Sequence, residues 1–334
     1  MTILNRQCLL AQRPIGAPTR DTFRFVETPL DEPAPGQILV RVRYLSIDPA
    51  MRGWMNDARS YIPPVGLGEV MRALGVGQVV ASQHPDHAVG DWVNGALGVQ
   101  DYFLGEPRGF YKVDPGQAPL PLYLSALGMT GMTAYFGLLA VGAPQAGETV
   151  VVSGAAGAVG SVAGQIARIK GCRVVGIAGG ADKCRLLTED FGFDAAIDYK
   201  GEDLHAALRR ECPKGVDLYF DNVGGDILDA VLTRLNFKAR VVLCGAISQY
   251  NNKEAVKGPS NYLSLLVNRA RMEGMVVTDY VSRYPEAMRD MAGWLQSGQL
   301  KSREDIVEGL ETFPETLMKL FTGGNLGKLV LKVS

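Results

Sequence analysis

A turn made only of small residues joins an apolar segment to a helix-like segment near the middle of the chain. The β-branched run Val150–Val152 precedes it, and the turn holds the spacing Ala155-x-Gly157-x-x-Gly160. This is the dinucleotide-binding fingerprint with its first glycine replaced by alanine. Diphosphates bind where a strand ends and the N–H groups of a helix start point outward. We therefore predict a dinucleotide site, although a tight strand-to-helix turn that binds nothing has the same pattern.

The next strand-like segment indicates which dinucleotide binds. It ends in Gly179 and Gly180 with no carboxylate at its tip, and Lys183 follows on the first helical turn. An NAD site carries an acidic residue at this point, whereas a lysine attracts the 2′-phosphate of NADP. The sequence thus favours NADP, unless Lys183 is only a solvated helix residue. Asp182 is nearby, and a negative charge is also common at a helix start.

Two further segments place small and polar residues where predicted strands end. Asp221-Asn222-Val223-Gly224-Gly225 follows one strand, and Cys244–Tyr250 follows the next. The carboxyl ends of the strands of a doubly wound sheet form the crevice that binds ligands. We expect both segments to line that crevice.

The pattern of predicted secondary structure changes at about residue 126. Before it, short β segments such as Gln37–Tyr44 are broken by proline and glycine, and after it strand-like and helix-like segments alternate. Alternating strands and helices predict an α/β fold with a doubly wound parallel sheet. The predicted strands of this sheet are Thr149–Ser153, Arg173–Ala178, Ala195–Tyr199, Val216–Asp221, Arg240–Gly245 and Met272–Val277. A last strand-like segment at 327–333 suggests that the chain returns to the first domain at about residue 300.

Composition excludes several classes of function. The chain has 334 residues and a formal net charge of −1, and it holds no basic block that would favour nucleic acid or an anionic membrane. The sequence has no run long enough to cross a membrane and no signal-peptide core, so we expect a cytoplasmic protein. Its five cysteines are scattered and its three histidines lack a nearby cysteine, so no metal site is predicted.

The motifs together resemble one family. Ala155–Ser161, Phe220–Gly225, Cys244–Tyr250 and Gly324–Lys328 are similar to segments of the zinc-independent medium-chain dehydrogenases and reductases. The branch they resemble most holds leukotriene and prostaglandin reductases, plant double-bond reductases and bacterial curcumin reductases. Asp48-Pro-Ala-Met-Arg52 resembles a segment of that group, with Ala50 in place of the usual tyrosine.

The resemblance implies a β-rich, GroES-like domain at residues 1–125, completed by 300–334, and a Rossmann domain at 126–299. It also implies NADPH as the reductant and a homodimer. Carried onto matching positions, the diphosphate contacts are Gly157, Ala158, Val159 and Gly160, and the 2′-phosphate contacts are Lys183 and Tyr199. The implied ribose and nicotinamide contacts are Asn222, Cys244, Gly245, Ala246, Ile247, Ser248, Tyr250, Met275, Val276, Val277 and Asn325. The sequence alone is equally consistent with Tyr199 as an ordinary tyrosine at the end of a strand. For Asn325, the sequence alone favours a turn residue over a cofactor contact.

The zinc-dependent relatives bind their metal with cysteine and histidine. The segment 64–71 stands where such a histidine would be and has none, so the resemblance disfavours zinc-assisted alcohol oxidation. Reduction of a carbon–carbon double bond conjugated to a carbonyl needs only hydrogen-bond donors for the enolate oxygen and a proton source. Tyr262 is our first candidate donor, Tyr61 and Tyr250 are the others, and water is a further proton source. A quinone reductase and a non-catalytic NADPH-binding protein are the alternatives.

Overall fold

The computed structural model describes residues 3–333, which form two compact units. Unit 1 runs to Ser125 and resumes at Glu304, and unit 2 runs from Ala126 to Arg303. The strands are β1 Leu4–Leu10, β2 Phe23–Pro29, β3 Ile38–Ser46, β4 Gly75–Ser82, β5 Trp92–Gly95, β6 Tyr102–Gly105, β7 Tyr111–Val113, β8 Thr149–Ser153, β9 Arg173–Ala178, β10 Ala195–Asp198, β11 Val216–Asp221, β12 Leu235–Leu243, β13 Arg271–Gly274, β14 Glu304–Glu308 and β15 Lys328–Lys332. The α-helices are α1 Ala50–Trp54, α2 Met129–Phe136, α3 Ala158–Ile169, α4 Ala181–Arg185, α5 Leu204–Glu211, α6 Gly225–Leu232, α7 Leu263–Asn268, α8 Tyr284–Gln296 and α9 Phe313–Thr322.

Unit 2 is built on a parallel sheet in the order β10-β9-β8-β11-β12-β13. Every residue of β8 is buried, as expected for a strand that helices cover on both faces. The predicted doubly wound parallel sheet is therefore confirmed.

The direction of winding reverses between β8 and β11. From β8 the chain adds β9 and then β10 on one side, and it returns to pair β11 with β8 on the other, with Val152 opposite Phe220. Loops that leave neighbouring strands at a reversal diverge and open a crevice between them. This topology brings the small-residue turn after β8 beside the polar segment after β11.

Several elements differ from the predicted ones. The helix that carries Lys183 is α4, and one wider π-helical turn, Leu186–Asp190, follows it. The sixth strand begins one residue earlier than predicted and ends at Gly274, so 275–277 lie beyond it. The sequence did not predict β14, α9 or the five-residue helix α1.

Unit 1 holds a sheet in the order β14-β15-β3-β4-β5-β7, with β6 also paired to β3, and a separate ribbon of β1 and β2. The last strand runs antiparallel to β3 with Val330 opposite Ser46, so the C-terminal segment is part of this sheet.

Two sequence motifs that carry the family resemblance meet inside unit 1. The Nζ of Lys328, only 2% exposed, donates to Asp48 Oδ1 at 2.7 Å and to the Ile47 carbonyl oxygen at 2.9 Å. A buried ammonium group needs such partners, because an uncompensated charge in the interior is strongly destabilising. Arg52 is also buried and donates to the carbonyl oxygens of Gly16 and Pro14, which assigns it a structural role.

Candidate dinucleotide and substrate site

The turn after β8 can be built only from small residues. Gly154 has φ of +57°, in the left-handed region. A Cβ on Gly160 would lie 2.4 Å from the Gly154 carbonyl oxygen, so α3 starts too close to the turn for any side chain there. Gly157 is the N-cap of α3, which leaves the first N–H groups of a 12-residue helix facing the strand ends. This geometry fits a diphosphate, with Gly157 and its three successors in the positions that the resemblance implies.

A buried carboxylate holds the two loops of the crevice together. Asp221 is fully buried, and its Oδ1 accepts hydrogen bonds from Ser153 Oγ at 2.8 Å and from Tyr219 OH at 2.7 Å. The same oxygen accepts from the backbone N–H groups of Val223 and Gly224, each at 3.0 Å. Burial and the Asp221 charge raise the pKa of Tyr219 well above its ordinary value, so its hydroxyl keeps the proton that it donates.

Ser153, which donates to Asp221, also fixes Asn222. Its backbone N–H donates to Ser153 Oγ at 2.9 Å, and its Nδ2 donates to the Ser153 carbonyl oxygen at 2.8 Å. The last residue of β8 therefore positions Asn222 directly at the crevice.

The segment after β12 is bonded onto the segment after β11. The N–H groups of Cys244 and Gly245 donate to the Asp221 carbonyl oxygen, and Ile247 N–H donates to that of Asn222. Ser248 donates to the Val223 carbonyl oxygen through both its N–H and its hydroxyl. The structure thus brings Asn222 and 244–248 together, as the sequence predicted for these strand ends.

A cavity of about 870 Å³ opens at this edge of unit 2. Its walls include Asp221, Gly245, Ala246 and Tyr250 together with 252–260. The Tyr250 hydroxyl accepts a hydrogen bond from Ala246 N–H at 3.1 Å, which places its oxygen at the end of β12. This volume is in the range of small-molecule sites.

The thiol in the wall of this cavity is kept protonated. Burial, with a smaller contribution from the Asp221 charge, raises the pKa of Cys244 to about 12. A thiol with such a pKa is a poor nucleophile at neutral pH, because the thiolate is the reactive form.

The far end of the crevice, after β9 and β10, carries positive charge. Lys183 lies on α4, and Tyr199 follows β10 with 42% of its surface exposed. The Asp198 carboxylate accepts from Gly180 N–H at 2.7 Å and from Lys200 N–H at 3.0 Å, and these backbone donors lower its pKa. Asp182 instead pairs with Arg185. Asp198 therefore fixes the loop of Gly180 against the residues that follow β10.

Other residues that the sequence predicted for the site lie after β13 and in unit 1. Met275 N–H donates to the Leu243 carbonyl oxygen, so 275–277 continue past β13 beside the end of β12. In unit 1, Asn325 is buried with its Nδ2 on the Gly327 carbonyl oxygen, and Tyr61 is 64% exposed in a loop.

Tyr262 lies along the flank of α6. The neighbouring Asn261 is bonded to Asp229, one turn into that helix, and Ser264 is bonded to Leu232 at its end. Tyr262 is 58% exposed and is not among the residues that line the cavity. The structure therefore does not bring it together with the strand-end residues.

Sequence reasoning missed Ser153 and Tyr219, and it assigned no role to Asp198 or Lys200. A serine at the last position of an apolar strand and a tyrosine two residues before Asp221 were the available signals. Neither pattern reveals a hydrogen-bonded network, because Ser153 is 68 residues from Asp221 and 69 residues from Asn222.

Two family models match the chain. Residues 6–113 match a model described as the N-terminal domain of oxidoreductase, and 158–293 match one described as zinc-binding dehydrogenase. In the part of the chain that the structure covers, no group of three or more His, Cys, Asp or Glu side chains is arranged to hold a metal ion.

Relatives that match the chain over almost its whole length identify its family. The chain is 45% identical to the NADPH-dependent curcumin reductase of Escherichia coli K12 over 335 residues, which covers 99% of this chain and 97% of that one. It is 40% identical to the NADP-dependent 2-alkenal reductase of Nicotiana tabacum over 338 residues, covering 99% and 98%. The chain belongs to the zinc-independent medium-chain dehydrogenases and reductases. It is an oxidoreductase of their double-bond reductase branch.

A solved structure of this family gives the same fold. CurA from Vibrio vulnificus, in complex with NADPH, matches with a TM-score of 0.94 and 44% identity over 98% of this chain and 99% of that one. No helix within residues 3–333 has both the length and the apolar character needed to span a membrane.

The Asp221 network generates a prediction about stability. Asp221→Asn replaces one acceptor oxygen by a donor opposite the Gly224 N–H, which donates to both carboxylate oxygens. We expect the substitution to cost about 1–3 kcal/mol and to weaken dinucleotide binding. Scanning calorimetry and titration calorimetry measure the two effects. Asp190→Asn, at an exposed position on the same unit, is the matched control, and equal melting temperatures for both variants would contradict the role of Asp221.

Proposed function

We propose that the protein reduces the carbon–carbon double bond of α,β-unsaturated ketones or aldehydes with NADPH. The observation that carries this proposal is the likeness of nearly the whole chain to a curcumin reductase and a 2-alkenal reductase, at 45% and 40% identity. The cavity at the carboxyl edge of unit 2 supports it, because that cavity adjoins the loop that would hold the reactive end of a dinucleotide.

The residues at the far end of the crevice support NADPH over NADH. We assign the 2′-phosphate to Lys183 and Tyr199, where a lysine and a hydroxyl replace the acidic residue of an NAD site. The Asp198 carboxylate accepts the N–H groups of Gly180 and Lys200, so it holds together the two loops that carry these residues. The same cofactor is bound by the Vibrio vulnificus relative.

The chemistry divides between the cofactor and the protein. NADPH supplies the hydride that the β carbon of the substrate accepts. The protein must hold the carbonyl oxygen while negative charge develops on it, which a hydroxyl donor does. It must also allow a proton to reach the α carbon from a hydroxyl group or from water.

Among the three candidate tyrosines, the structure favours Tyr250. Its hydroxyl lies beside the backbone of Gly245 and Ala246 at the end of β12, and its side chain lines the cavity. Tyr262, the first choice from the sequence, lies on the flank of α6, and Tyr61 belongs to the other unit. We therefore propose Tyr250 as the donor to the substrate oxygen, and keep Tyr262 and Tyr61 as the comparisons that test it.

Replacing each tyrosine by phenylalanine ranks the three. Loss of one hydrogen bond to a developing oxyanion lowers kcat by roughly 100-fold, so we expect Tyr250→Phe to have an effect of that order on an enone. Tyr262→Phe and Tyr61→Phe should retain turnover. Steady-state kinetics with NADPH measure these values, and full turnover in Tyr250→Phe would reject the assignment.

The half-buried thiol of Cys244 suits such a substrate. Conjugated ketones and aldehydes alkylate thiolates, and the Cys244 thiol in the cavity wall has its pKa raised to about 12. The cavity can therefore hold an electrophile beside a sulfur that stays protonated.

All five cysteines are free thiols, in keeping with the expected cytoplasmic location.

An acceptor comparison tests the proposed reaction against its alternatives. We expect rapid oxidation of NADPH with a simple enone, slow oxidation with a benzoquinone, and none without an acceptor. The absorbance of NADPH reports all three, and product analysis must show the saturated ketone. A preference for the quinone would identify a quinone reductase, and inactivity with every acceptor would leave a nucleotide-binding protein.

We also propose that the enzyme is a homodimer joined through β13. This strand is the exposed edge of the parallel sheet, and α7 beside it exposes Leu266 and Val267. Antiparallel pairing of β13 with a second copy about Met272 sets Arg271 of each chain opposite Glu273 of the other. An unpaired edge strand is a template for pairing with another chain, and opposite charges that face each other across an antiparallel pair stabilise it.

Sedimentation equilibrium tests the assembly. The wild type should have twice the chain mass of 35.9 kDa, and Leu266→Asp with Val267→Asp should shift it to the monomer. A monomeric wild type, or a variant that stays dimeric, would contradict this interface.

A further inference from the structure

Lys200 is held across the glycine loop that ends β9. An ideal Cβ on Gly179 would lie 2.9 Å from Lys200 Cε and 3.0 Å from Tyr199 Cε1. The absence of a side chain at Gly179 is therefore what lets Lys200 and Tyr199 lie over this loop. The aliphatic part of Lys200 packs on backbone, while the residue as a whole remains exposed.

The backbone of Lys200 is fixed by Asp198. Lys200 N–H donates to Asp198 Oδ1 at 3.0 Å, and the same oxygen accepts from Gly180 N–H at 2.7 Å. One carboxylate thus ties the loop after β9 to the residues after β10. Asp198 is in this sense a positioning residue for both loops.

The charge of Lys200 acts on Lys183. Lys183 lies on α4 directly after the glycine loop, and burial followed by the positive charge of Lys200 lowers the pKa of Lys183. An anion that binds beside two lysines is attracted by both of them. A phosphate monoester, which carries close to two negative charges at neutral pH, has the charge to offset both.

We propose that Lys200 is a second cationic contact for the 2′-phosphate of NADPH, opposite Lys183 across Gly179. This inference rests on the proposed 2′-phosphate site and adds a specificity-determining residue to it. The two lysines and the Tyr199 hydroxyl then surround the phosphate from α4 and from the end of β10. Asp198 fixes the loops after β9 and β10 that carry these residues.

The experiment uses binding alone. Titration calorimetry of the full-length protein with adenosine 2′,5′-bisphosphate and with adenosine 5′-monophosphate separates the 2′-phosphate from the rest of the nucleotide. Lys200→Met keeps the aliphatic packing on Gly179 and removes the charge. We expect it to weaken binding of the bisphosphate about tenfold, the size of one charge-assisted hydrogen bond, and to leave binding of the monophosphate within twofold.

Matched variants make the result specific. Lys214→Met removes the same charge from an exposed residue just before β11. This residue lies at the amino ends of the parallel strands, away from the crevice at their carboxyl ends, so the substitution should change neither affinity. Lys200→Arg keeps the charge and should retain most of the affinity. Calorimetric melting of each variant shows that the proteins compared are folded.

The outcomes separate this inference from the site on which it rests. If Lys183→Met weakens bisphosphate binding and Lys200→Met does not, the 2′-phosphate site stands and the role of Lys200 is wrong. If neither variant changes it, the phosphate site itself is wrong. Equal weakening of bisphosphate and monophosphate by Lys200→Met would also overturn the proposal, because the lysine would then act on the whole nucleotide.

Discussion

The carboxylate of Asp221 is the interaction on which the reactive end of this site depends. A fully buried carboxylate is costly unless hydrogen bonds surround it, and here Ser153, Tyr219, Val223 and Gly224 supply them. Those partners belong to the end of β8 and to both sides of the end of β11. Satisfying one buried charge therefore fixes the spacing of the two loops that form the crevice.

At the other end of the crevice, the carboxylate of Asp198 also joins two loops, nearer the surface. Asp198 accepts from the backbone of two loops, whereas Asp221 joins its two loops through the Ser153 hydroxyl and the N–H groups of Val223 and Gly224. In both places a carboxylate fixes the residues at the strand ends. The parallel sheet makes this possible, because all of its strands end at the same edge.

The sequence was most informative where geometry leaves few choices. The glycine turn and the alternation of strands and helices follow from local patterns, and Gly154 and Gly160 show why only small residues fit in the turn. The network around Asp221 could not be predicted, since Ser153 and Asp221 are far apart in the chain and nothing in either segment names its partner. Tyr262 was chosen from its loop, whereas Asn261 anchors that loop on α6.

The most direct test of the proposed reaction follows the hydride itself. The protein would be given NADPH deuterated at C4 of the nicotinamide, on either face, with an aryl enone, and the product examined by NMR. The account predicts a saturated ketone with one deuterium on the former β carbon from one of the two labelled cofactors, and a solvent-derived proton on the α carbon. Deuterium on the carbonyl carbon of an allylic alcohol, or no transfer from either cofactor, would contradict it.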